Sequence, residues 1–338
     1  MIINDFTIMI MSILFMFTSA DSVGQSLTYK EFLYTINRLE EKSDFESALG
    51  FLKDNKHNFP FKDFELSKEE IYINEKLLRY SDNLKIFREG HQKGFFYFLD
   101  GRIPKYKPYM EFSEFISISE HDLKLRDEAM RESKIIYEAE LPERFSGNRK
   151  WPLCLIFHGG GSNLERVKEH WHSQELDSNY IKIYFQSYRH YDYNTYGWTS
   201  GDERANRELE KCFETIKDTY PIDCSNILSA GISAGGTFAI DIAVRGVIPV
   251  TAFISFCPGI PRILANENMP VIISSKINGV IVGGEKDFYL PQQRQMIGAF
   301  RRLQNPVKHI IISDMEHEYP PNEGKMIDEA IEFITKKE

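Results

Sequence analysis

The spacing of apolar residues changes near residue 134 and divides the chain into two patterns. Before this point apolar residues recur at every third or fourth position, as at Phe32, Ile36 and Leu39. This spacing places them on one face of an α-helix. The run from Phe45 to Leu52 and the later segments EEIYINEKLLRY and NLKIFREGHQKG continue the pattern. We therefore predict a small all-helical region over residues 28–133.

Two segments of the helical region can be aligned with each other. Placing ALGF at 48–51 over LKIF at 84–87 gives an offset close to that of a helical-hairpin repeat. The pattern resembles tetratricopeptide-type repeats over at most two units, and a helical cap without repeat ancestry explains it equally well. Either interpretation makes this region a candidate surface for a protein partner.

Beyond residue 134 short apolar runs alternate with amphipathic ones. The run KIIYEAELP alternates in polarity and is typical of an edge strand at the start of a new domain. The apolar runs that follow have the composition of strands and read WPLCLIF, YIKIYFQSYRH, NILSAG, VTAFISFCPG, INGVIVGG and VKHIIISD. Runs with helical spacing separate them, such as Leu209–Ile216 and the C-terminal Ile327–Ile334. This alternation indicates an α/β domain over residues 134–338, with a mostly parallel sheet and helices on both faces. In such sheets ligands bind beyond the carboxyl ends of the strands.

Composition and charge restrict the class of partner. The chain of 338 residues carries 41 basic and 50 acidic side chains and a net charge of −9. Binding to phosphates needs clustered lysine and arginine, and no basic run occurs, so we expect no nucleic-acid partner. The four cysteines lack metal-ligand spacing and are expected to be free thiols. We therefore predict no metal site.

The N-terminal run FTIMIMSILFMFTSA, residues 6–20, bears on localisation. It is apolar enough for the core of a signal peptide and short for a membrane helix, so we expect no integral membrane span. Asp5 is the only charged side chain before it and the first lysine is Lys30. We therefore favour a cytoplasmic protein over one secreted through residues 1–20. A rival hypothesis treats residues 1–27 as untranslated, with Leu27 at a non-standard start codon.

The segment GISAGG, residues 231–236, concentrates glycines where a predicted strand passes directly into a helix. Glycine weakens both elements, so its presence indicates a turn too tight for larger side chains. The segment matches G-x-S-x-G, and a strand before it with a helix after it is the context of a nucleophile elbow. We predict that Ser233 is a nucleophile exposed at this turn. A structural serine in a tight turn is the alternative.

A second glycine cluster, HGGGSN at residues 158–163, also follows a predicted strand. Consecutive glycines there can direct backbone N–H groups at a developing oxyanion. We predict that Gly159 or Gly160 supplies one donor and Ala234 the second. A phosphate-binding loop is disfavoured, because neither G-x-x-x-x-G-K nor G-x-G-x-x-G is present.

A serine nucleophile needs a base, and the base needs an acid that orients it and stabilises its charged form. His317 follows the last predicted strand and is the candidate base. VGGEKD ends the preceding strand and offers Asp287 or Glu285 as the acid, of which we favour Asp287. Asp314 and Glu318 are expected to be surface charges, although either could orient His317.

The order of HGGG, GISAGG, GGEKD and EHEYPP resembles the α/β-hydrolase superfamily, most closely its phospholipase/carboxylesterase and dienelactone-hydrolase-like esterases. The resemblance covers residues 134–338 and implies the α/β-hydrolase fold. It also implies a set of site residues: Ser233 as nucleophile, Asp287 as acid, His317 as base, and Gly159 or Gly160 with Ala234 as oxyanion donors.

The leading hypothesis is a carboxylesterase-like serine hydrolase that cleaves small-molecule esters through an acyl-enzyme intermediate, without a metal or organic cofactor. Within the aromatic segment at 188–202, Tyr196 and Trp198 are the candidate substrate contacts. One alternative is a serine peptidase of the prolyl-oligopeptidase type, which has the same triad order. Another is a non-catalytic binding or scaffold protein whose helical region recruits a partner.

Overall fold

The structure, a computed structural model, describes residues 27–265 and 277–336. The N-terminal run at 6–20 and its signal-peptide hypothesis lie outside these residues. The chain divides between Arg79 and Tyr80 into two compact units. The domain limits expected at residues 27 and 133 stay predictions. Within the described ranges, no helix combines the length and the apolarity needed to cross a membrane.

The described part of the first unit, residues 27–79, contains three α-helices: α1 (Tyr29–Glu41), α2 (Phe45–Asn55) and α3 (Asp63–Lys76). Short 3-10 turns at Lys56–Asn58 and Pro60–Lys62 join α2 to α3. Thr28 caps α1 in a reciprocal capping box with Glu31, which satisfies N–H groups that lack intrahelical acceptors. The predicted apolar face is buried, with Phe32, Ile36 and Leu52 fully inaccessible to solvent. The predicted helical region is confirmed, whereas its repeat ancestry stays a prediction.

The second unit begins with α4 (Tyr80–Gln92), a 3-10 helix at Pro104–Glu111 and α5 (Ser113–Glu132). Its strands follow in chain order: β1 (Ile136–Glu140), β2 (Trp151–Phe157), β3 (Ile181–Gln186), β4 (His190–Asp192), β5 (Thr195–Tyr196), β6 (Ile222–Ile232), β7 (Ala252–Phe256), β8 (Asn278–Gly284) and β9 (Val307–Ile312). β4 and β5 form a separate hairpin. The other seven form one sheet in the order β1-β3-β2-β6-β7-β8-β9, in which only β1 is antiparallel to its neighbour.

Helices cover both faces of this sheet. They are α6 (Leu164–Val167), α7 (Gln174–Asn179), α8 (Glu203–Thr219), α9 (Ser233–Arg245), α10 (Arg262–Ala265), α11 (Leu290–Arg302) and α12 (Glu323–Thr335). Alternate residues of β2 point to opposite faces. Leu153 and Leu155 join the core under α8, α9 and α11, and Cys154 and Ile156 join the core under α6, α7 and α12. The predicted mostly parallel sheet between two helical layers is confirmed.

The sheet brings the segments that were singled out from the sequence to a common edge. Each neighbouring pair from β2 through β6, β7 and β8 to β9 is parallel. Their carboxyl ends therefore lie along the same side of the sheet. The HGGG loop follows β2, Ser233 follows β6, Asp287 follows β8 and His317 follows β9.

Candidate active site

Ser233 occupies a sharp turn between β6 and α9. It is the first residue of α9, and its backbone φ is 54°, in the left-handed region that non-glycine residues rarely adopt. A Cβ on Gly231 would lie 2.6 Å from the Gly235 carbonyl carbon, and one on Gly235 would lie 2.2 Å from the Phe157 carbonyl oxygen. Neither glycine can therefore carry a side chain. The strained backbone and the close packing give the turn the geometry of a nucleophile elbow.

The structure brings Ser233, His317 and Asp287 into one hydrogen-bonded chain. Nε2 of His317 lies 2.8 Å from Oγ of Ser233, and its Nδ1 lies 2.8 Å from Oδ1 of Asp287. An ionised carboxylate only accepts hydrogen bonds, so Nδ1 carries the proton that faces Asp287. This assignment leaves Nε2 free to accept the serine O–H. The arrangement can remove a proton from the serine oxygen and stabilise the resulting imidazolium.

Two further donors hold the Asp287 carboxylate, which is buried. The backbone N–H of Tyr289 donates to Oδ1 over 2.9 Å, and Nε2 of Gln293 donates to Oδ2 over 2.7 Å. The Oε1 of Gln293 in turn accepts from Nε2 of His309 over 3.3 Å. The sequence analysis did not identify Gln293. The structure shows that this polar side chain of α11 is fully buried.

The other acidic candidates form different contacts or are exposed. The carboxylate of Glu285 accepts from Oγ of Ser313 over 2.9 Å and from the N–H of Asp314 over 3.2 Å. Asp314 is exposed and forms an ion pair with Lys286 at 2.9 Å. Glu318 is also exposed. Of the four carboxylates considered from the sequence, Asp287 is the one hydrogen-bonded to the imidazole.

The HGGG loop lies against the start of α9. A Cβ on Gly159 would be 3.9 Å from Cβ of Ser233, and one on Gly160 would be 3.6 Å from Cβ of Ala234. Within residues 27–265 and 277–336, the backbone N–H groups of Gly159 and Gly160 have no hydrogen-bond acceptor. Ala234 lies in the first turn of α9, where N–H groups have no intrahelical acceptor. These groups are therefore available to stabilise an oxyanion.

His158 fixes the orientation of one of these peptide groups. It is fully buried, and burial lowers its pKa to about 4. The neutral ring accepts from the N–H of Ser187 through Nε2, at 3.3 Å, and donates from Nδ1 to the carbonyl of Gly159, at 2.7 Å. Because the peptide is planar and trans, the N–H of Gly160 points away from His158. The sequence analysis placed His158 in the HGGGSN motif but assigned it no role.

The two predicted substrate contacts occupy different surroundings. Trp198 is buried in the core, edge-on to Phe157 at 5.1 Å and stacked on Phe238 at 4.7 Å. This position supports a packing role, and contact of Trp198 with substrate stays a prediction. Tyr196 is half-buried, and its backbone accepts from the N–H of Gly161 and donates to the carbonyl of Ser162. Tyr196 therefore supports the HGGG loop, and its contact with substrate stays a prediction.

Phe288 is an aromatic neighbour of His317 that the sequence did not single out. Its ring centroid lies 4.3 Å from that of the imidazole, and 66% of its surface is exposed. Tyr289 lies edge-on to the same imidazole at 5.5 Å. The two rings cover part of His317 and leave an apolar surface beside the reactive atoms.

A thiol also lies near the triad. Sγ of Cys257, a nitrogen of His317 and an oxygen of Asp287 lie within 4.8 Å of one another, a spacing that could suit a metal ion. Burial, together with the adjacent Asp287 carboxylate, raises the pKa of the Cys257 thiol to about 12. The thiol therefore keeps its proton and donates to the carbonyl of Glu318 at 3.4 Å. A protonated thiol is a poor metal ligand.

No protein-family model matches this sequence, and no curated protein matches it either. An uncharacterized protein from Bacillus cereus ATCC 10987 is similar in structure, with 20% identity, a TM-score of 0.50, and coverage of 91% of this chain and 99% of that one. Esterase PE8 has 14% identity and a TM-score of 0.46 over 57% of this chain and 96% of its own. The Bacillus cereus carboxylesterase has 14% identity and a TM-score of 0.46 over 60% and 96%.

At these identities, similarity between structures concerns the fold alone. The strand order, the single antiparallel strand β1 and the nucleophile-elbow turn after the central strand β6 define the architecture. The chain has the α/β-hydrolase fold, preceded by helices, and this prediction from the sequence is confirmed.

Proposed function

We propose that the protein is a serine hydrolase that cleaves carboxylic esters of small molecules through an acyl-enzyme intermediate. The observation that carries this proposal is the chain of two 2.8 Å hydrogen bonds from Asp287 through His317 to Ser233. The serine at its end lies on a strained left-handed turn. A structural serine needs neither the imidazole nor the strain.

In the first step Nε2 of His317 takes the proton of Ser233 while Oγ attacks the ester carbonyl carbon. The carbonyl electron pair moves onto oxygen, where we expect the N–H groups of Gly160 and Ala234 to stabilise the negative charge. Asp287 stabilises the imidazolium. When the tetrahedral intermediate collapses, the bond to the alcohol oxygen breaks and His317 returns the proton to that oxygen.

The second step repeats the first with water. His317 takes a proton from a water molecule as its oxygen attacks the acyl carbon, and the bond to Oγ of Ser233 breaks with return of that proton. The alcohol is released in the first step and the acid in the second, and no electron transfer is involved. Both steps use only a serine, an imidazole and a carboxylate, and neither step requires a phosphate group or a metal ion.

The hydrogen-bond geometry favours catalysis over the scaffold alternative, because binding a partner through the helical region requires no activated serine. The peptidase alternative uses the same three residues. Ester and amide cleavage differ in the leaving group, which a substrate panel distinguishes.

Labelling by a fluorophosphonate probe tests the proposal directly. We expect the folded wild type to be labelled, and the Ser233→Ala variant and heat-denatured protein to remain unlabelled. Ser233→Ala should also reduce ester turnover by roughly 10⁴-fold or more while leaving the melting temperature close to that of the wild type. Hydrolysis of short-chain p-nitrophenyl esters, without cleavage of proline-containing peptide amides, supports the esterase. A folded wild type that is neither labelled nor active on either panel contradicts the proposal.

A further inference from the structure

We propose that the hydroxyl of Tyr191 is a third oxyanion donor, acting beside the backbone N–H groups of Gly160 and Ala234. This inference rests on the serine-hydrolase function proposed above and deepens it. It also gives the segment before residue 134 a part in the site, through the aromatic ring that holds Tyr191 in place.

The phenol of Tyr191 lies beside Gly160. Tyr191 is the central residue of β4, and its hydroxyl oxygen lies 3.4 Å from the point that a Cβ on Gly160 would occupy. The Cβ of Ala234 lies 3.6 Å from the same point. The phenol oxygen and the Ala234 side chain therefore approach the same side of Gly160. A charged oxygen bound by Gly160 and Ala234 would lie next to the phenol.

The hydroxyl is available as a donor. Tyr191 is 40% exposed, and none of the residues that the structure describes accepts a hydrogen bond from its hydroxyl or donates one to it. By contrast, the hydroxyl of the nearby Tyr188 donates to Asp202 over 2.7 Å. The phenol and the N–H groups of Gly160 and Ala234 thus provide three available donors close to one another.

Gly197 supplies the space in which the Tyr191 ring lies. A Cβ on Gly197 would come 2.1 Å from Cε2 of Tyr191 and 2.9 Å from its Cδ2. The ring therefore packs directly on the bare Cα of Gly197. Any larger residue at this position must displace the ring and move the hydroxyl, which makes Gly197 a positioning residue for Tyr191.

Phe98 packs edge-on against Tyr191, with ring centroids 6.0 Å apart and an interplanar angle of 78°. Its φ of 58° is unusual for a bulky side chain. The buried carboxylate of Asp122 holds this conformation, because it accepts from the N–H groups of Tyr97 at 2.7 Å and Leu99 at 2.8 Å. Strained backbone persists where its surroundings determine it in this way. Arg126 stacks on the Phe98 ring at 4.1 Å.

A phenol held rigidly at this place stabilises charge that develops only in the tetrahedral intermediates. The neutral ester carbonyl is a weaker acceptor than the oxyanion, so the hydrogen bond strengthens as the reaction proceeds. Tyr191 keeps its proton throughout, and no bond to it forms or breaks. Such a donor raises kcat and has little effect on KM.

The test compares Tyr191→Phe with the wild type in steady-state hydrolysis of p-nitrophenyl acetate. Loss of one oxyanion donor should lower kcat by about 100-fold, with KM within about twofold. The rate of fluorophosphonate labelling should fall in parallel. Tyr193→Phe is the matched control, since its ring lies on the same hairpin with 42% exposure but packs on Phe95 and Phe96. We expect Tyr193→Phe to retain wild-type kcat.

Gly197→Ala provides a second variant that keeps the hydroxyl and moves it. It should lower kcat to a similar extent, and the double variant with Tyr191→Phe should be no slower than Tyr191→Phe alone, because both changes remove one interaction. If the wild type is active and kcat of Tyr191→Phe equals that of the wild type, the inference is wrong, whether or not KM is raised. A wild type that is neither labelled nor active overturns the proposed function itself, and the role of Tyr191 with it.

Discussion

Asp122 and Asp287 are two buried carboxylates in the same compact unit, and each accepts a hydrogen bond from a histidine and from a backbone N–H. Asp122 binds Nε2 of His91 at 2.9 Å and the N–H groups of Tyr97 and Leu99. Asp287 binds Nδ1 of His317 at 2.8 Å and the N–H of Tyr289. The local chemistry of the two sites is thus closely matched.

The two sites differ in what lies on the far side of the histidine. The second ring nitrogen of His317 faces the hydroxyl of Ser233 at 2.8 Å, whereas His91 is buried beside the ring of His121 at 5.1 Å. A histidine–aspartate pair is therefore a buried structural contact in one region, whereas in the other we propose that it activates a serine. The position of the serine, rather than the strength of the pair, separates the two roles.

Replacing the carboxylate at each site should separate the two sites by their effect on kcat, and the larger loss is expected at Asp287. In Asp287→Asn the amide donates to Nδ1 of His317 and places the histidine proton on Nε2, where it opposes the serine O–H. We expect kcat to fall by about 10⁴-fold, and the free energy of unfolding to fall by about 1–3 kcal/mol because the Tyr289 N–H loses its acceptor. Steady-state kinetics and thermal unfolding measure both quantities. Glu285→Gln is the control; if it proves the more damaging change, the assignment of Asp287 as the acid is wrong.

Gln293→Leu sharpens the comparison, because Asp122 has no side-chain amide in the corresponding place among the contacts described above. The substitution removes the 2.7 Å hydrogen bond to Asp287. A hydrogen bond to a charged group contributes about 1.5–3 kcal/mol, so we expect kcat to fall by roughly 10- to 100-fold. Gln295→Leu, at an exposed position of the same helix, should retain wild-type activity. Equal rates in both variants would show that Gln293 does not position the acid.

Asp122→Asn should act mainly on stability. One of the two N–H groups around Phe98 loses its acceptor, because the amide nitrogen of asparagine cannot accept. The free energy of unfolding should fall by about 2 kcal/mol, which urea denaturation measures. We expect kcat to fall about tenfold or less, through displacement of Phe98 from Tyr191. A loss of kcat as large as that in Asp287→Asn would place Asp122 in the catalytic machinery and contradict the comparison.

The last effect concerns His158, a fully buried histidine that has no carboxylate partner within hydrogen-bond reach among the described contacts. Its pKa is lowered to about 4 by burial, whereas an exposed histidine titrates near pH 6.5. The unfolded chain therefore binds a proton that the folded chain excludes, and stability decreases as the pH falls from about 6.5 toward 4. Between pH 7 and pH 5 this loss should be about 2 kcal/mol.

His158→Asn should flatten this dependence, since asparagine does not titrate. The measurement is the urea midpoint of the wild type and the variant at a series of pH values, and the difference between the two curves isolates His158 from the other histidines. Parallel curves would show that His158 does not contribute.

The sequence predicted the parts of the site that follow strand ends. Ser233, Asp287 and His317 each come directly after a buried apolar run, and the parallel sheet brings such positions together. The spacing alone left Asp287 and Glu285 open, because two residues in one turn can point in different directions. Trp198 lies in a segment of alternating aromatics, and nothing in the pattern indicated that its indole turns toward Phe157.

The contacts that support the site came only from tertiary structure. Gln293 follows Asp287 by six positions on a different element, and its polarity alone carries no role. Asp122 and Phe98 lie before the change in sequence pattern at residue 134, in a segment with no motif. Packing between distant segments sets these positions, and local spacing holds no information about it.

The division of the chain between Arg79 and Tyr80 bears on which segments could be exchanged by recombination. The helices α4 and α5 carry His91, Asp122 and the Phe98 segment, so exchange of everything before residue 134 would remove the ring behind Tyr191. Recombination at residue 80 would leave that ring with the sheet. Every residue described above at the candidate site therefore belongs to the unit that begins at Tyr80.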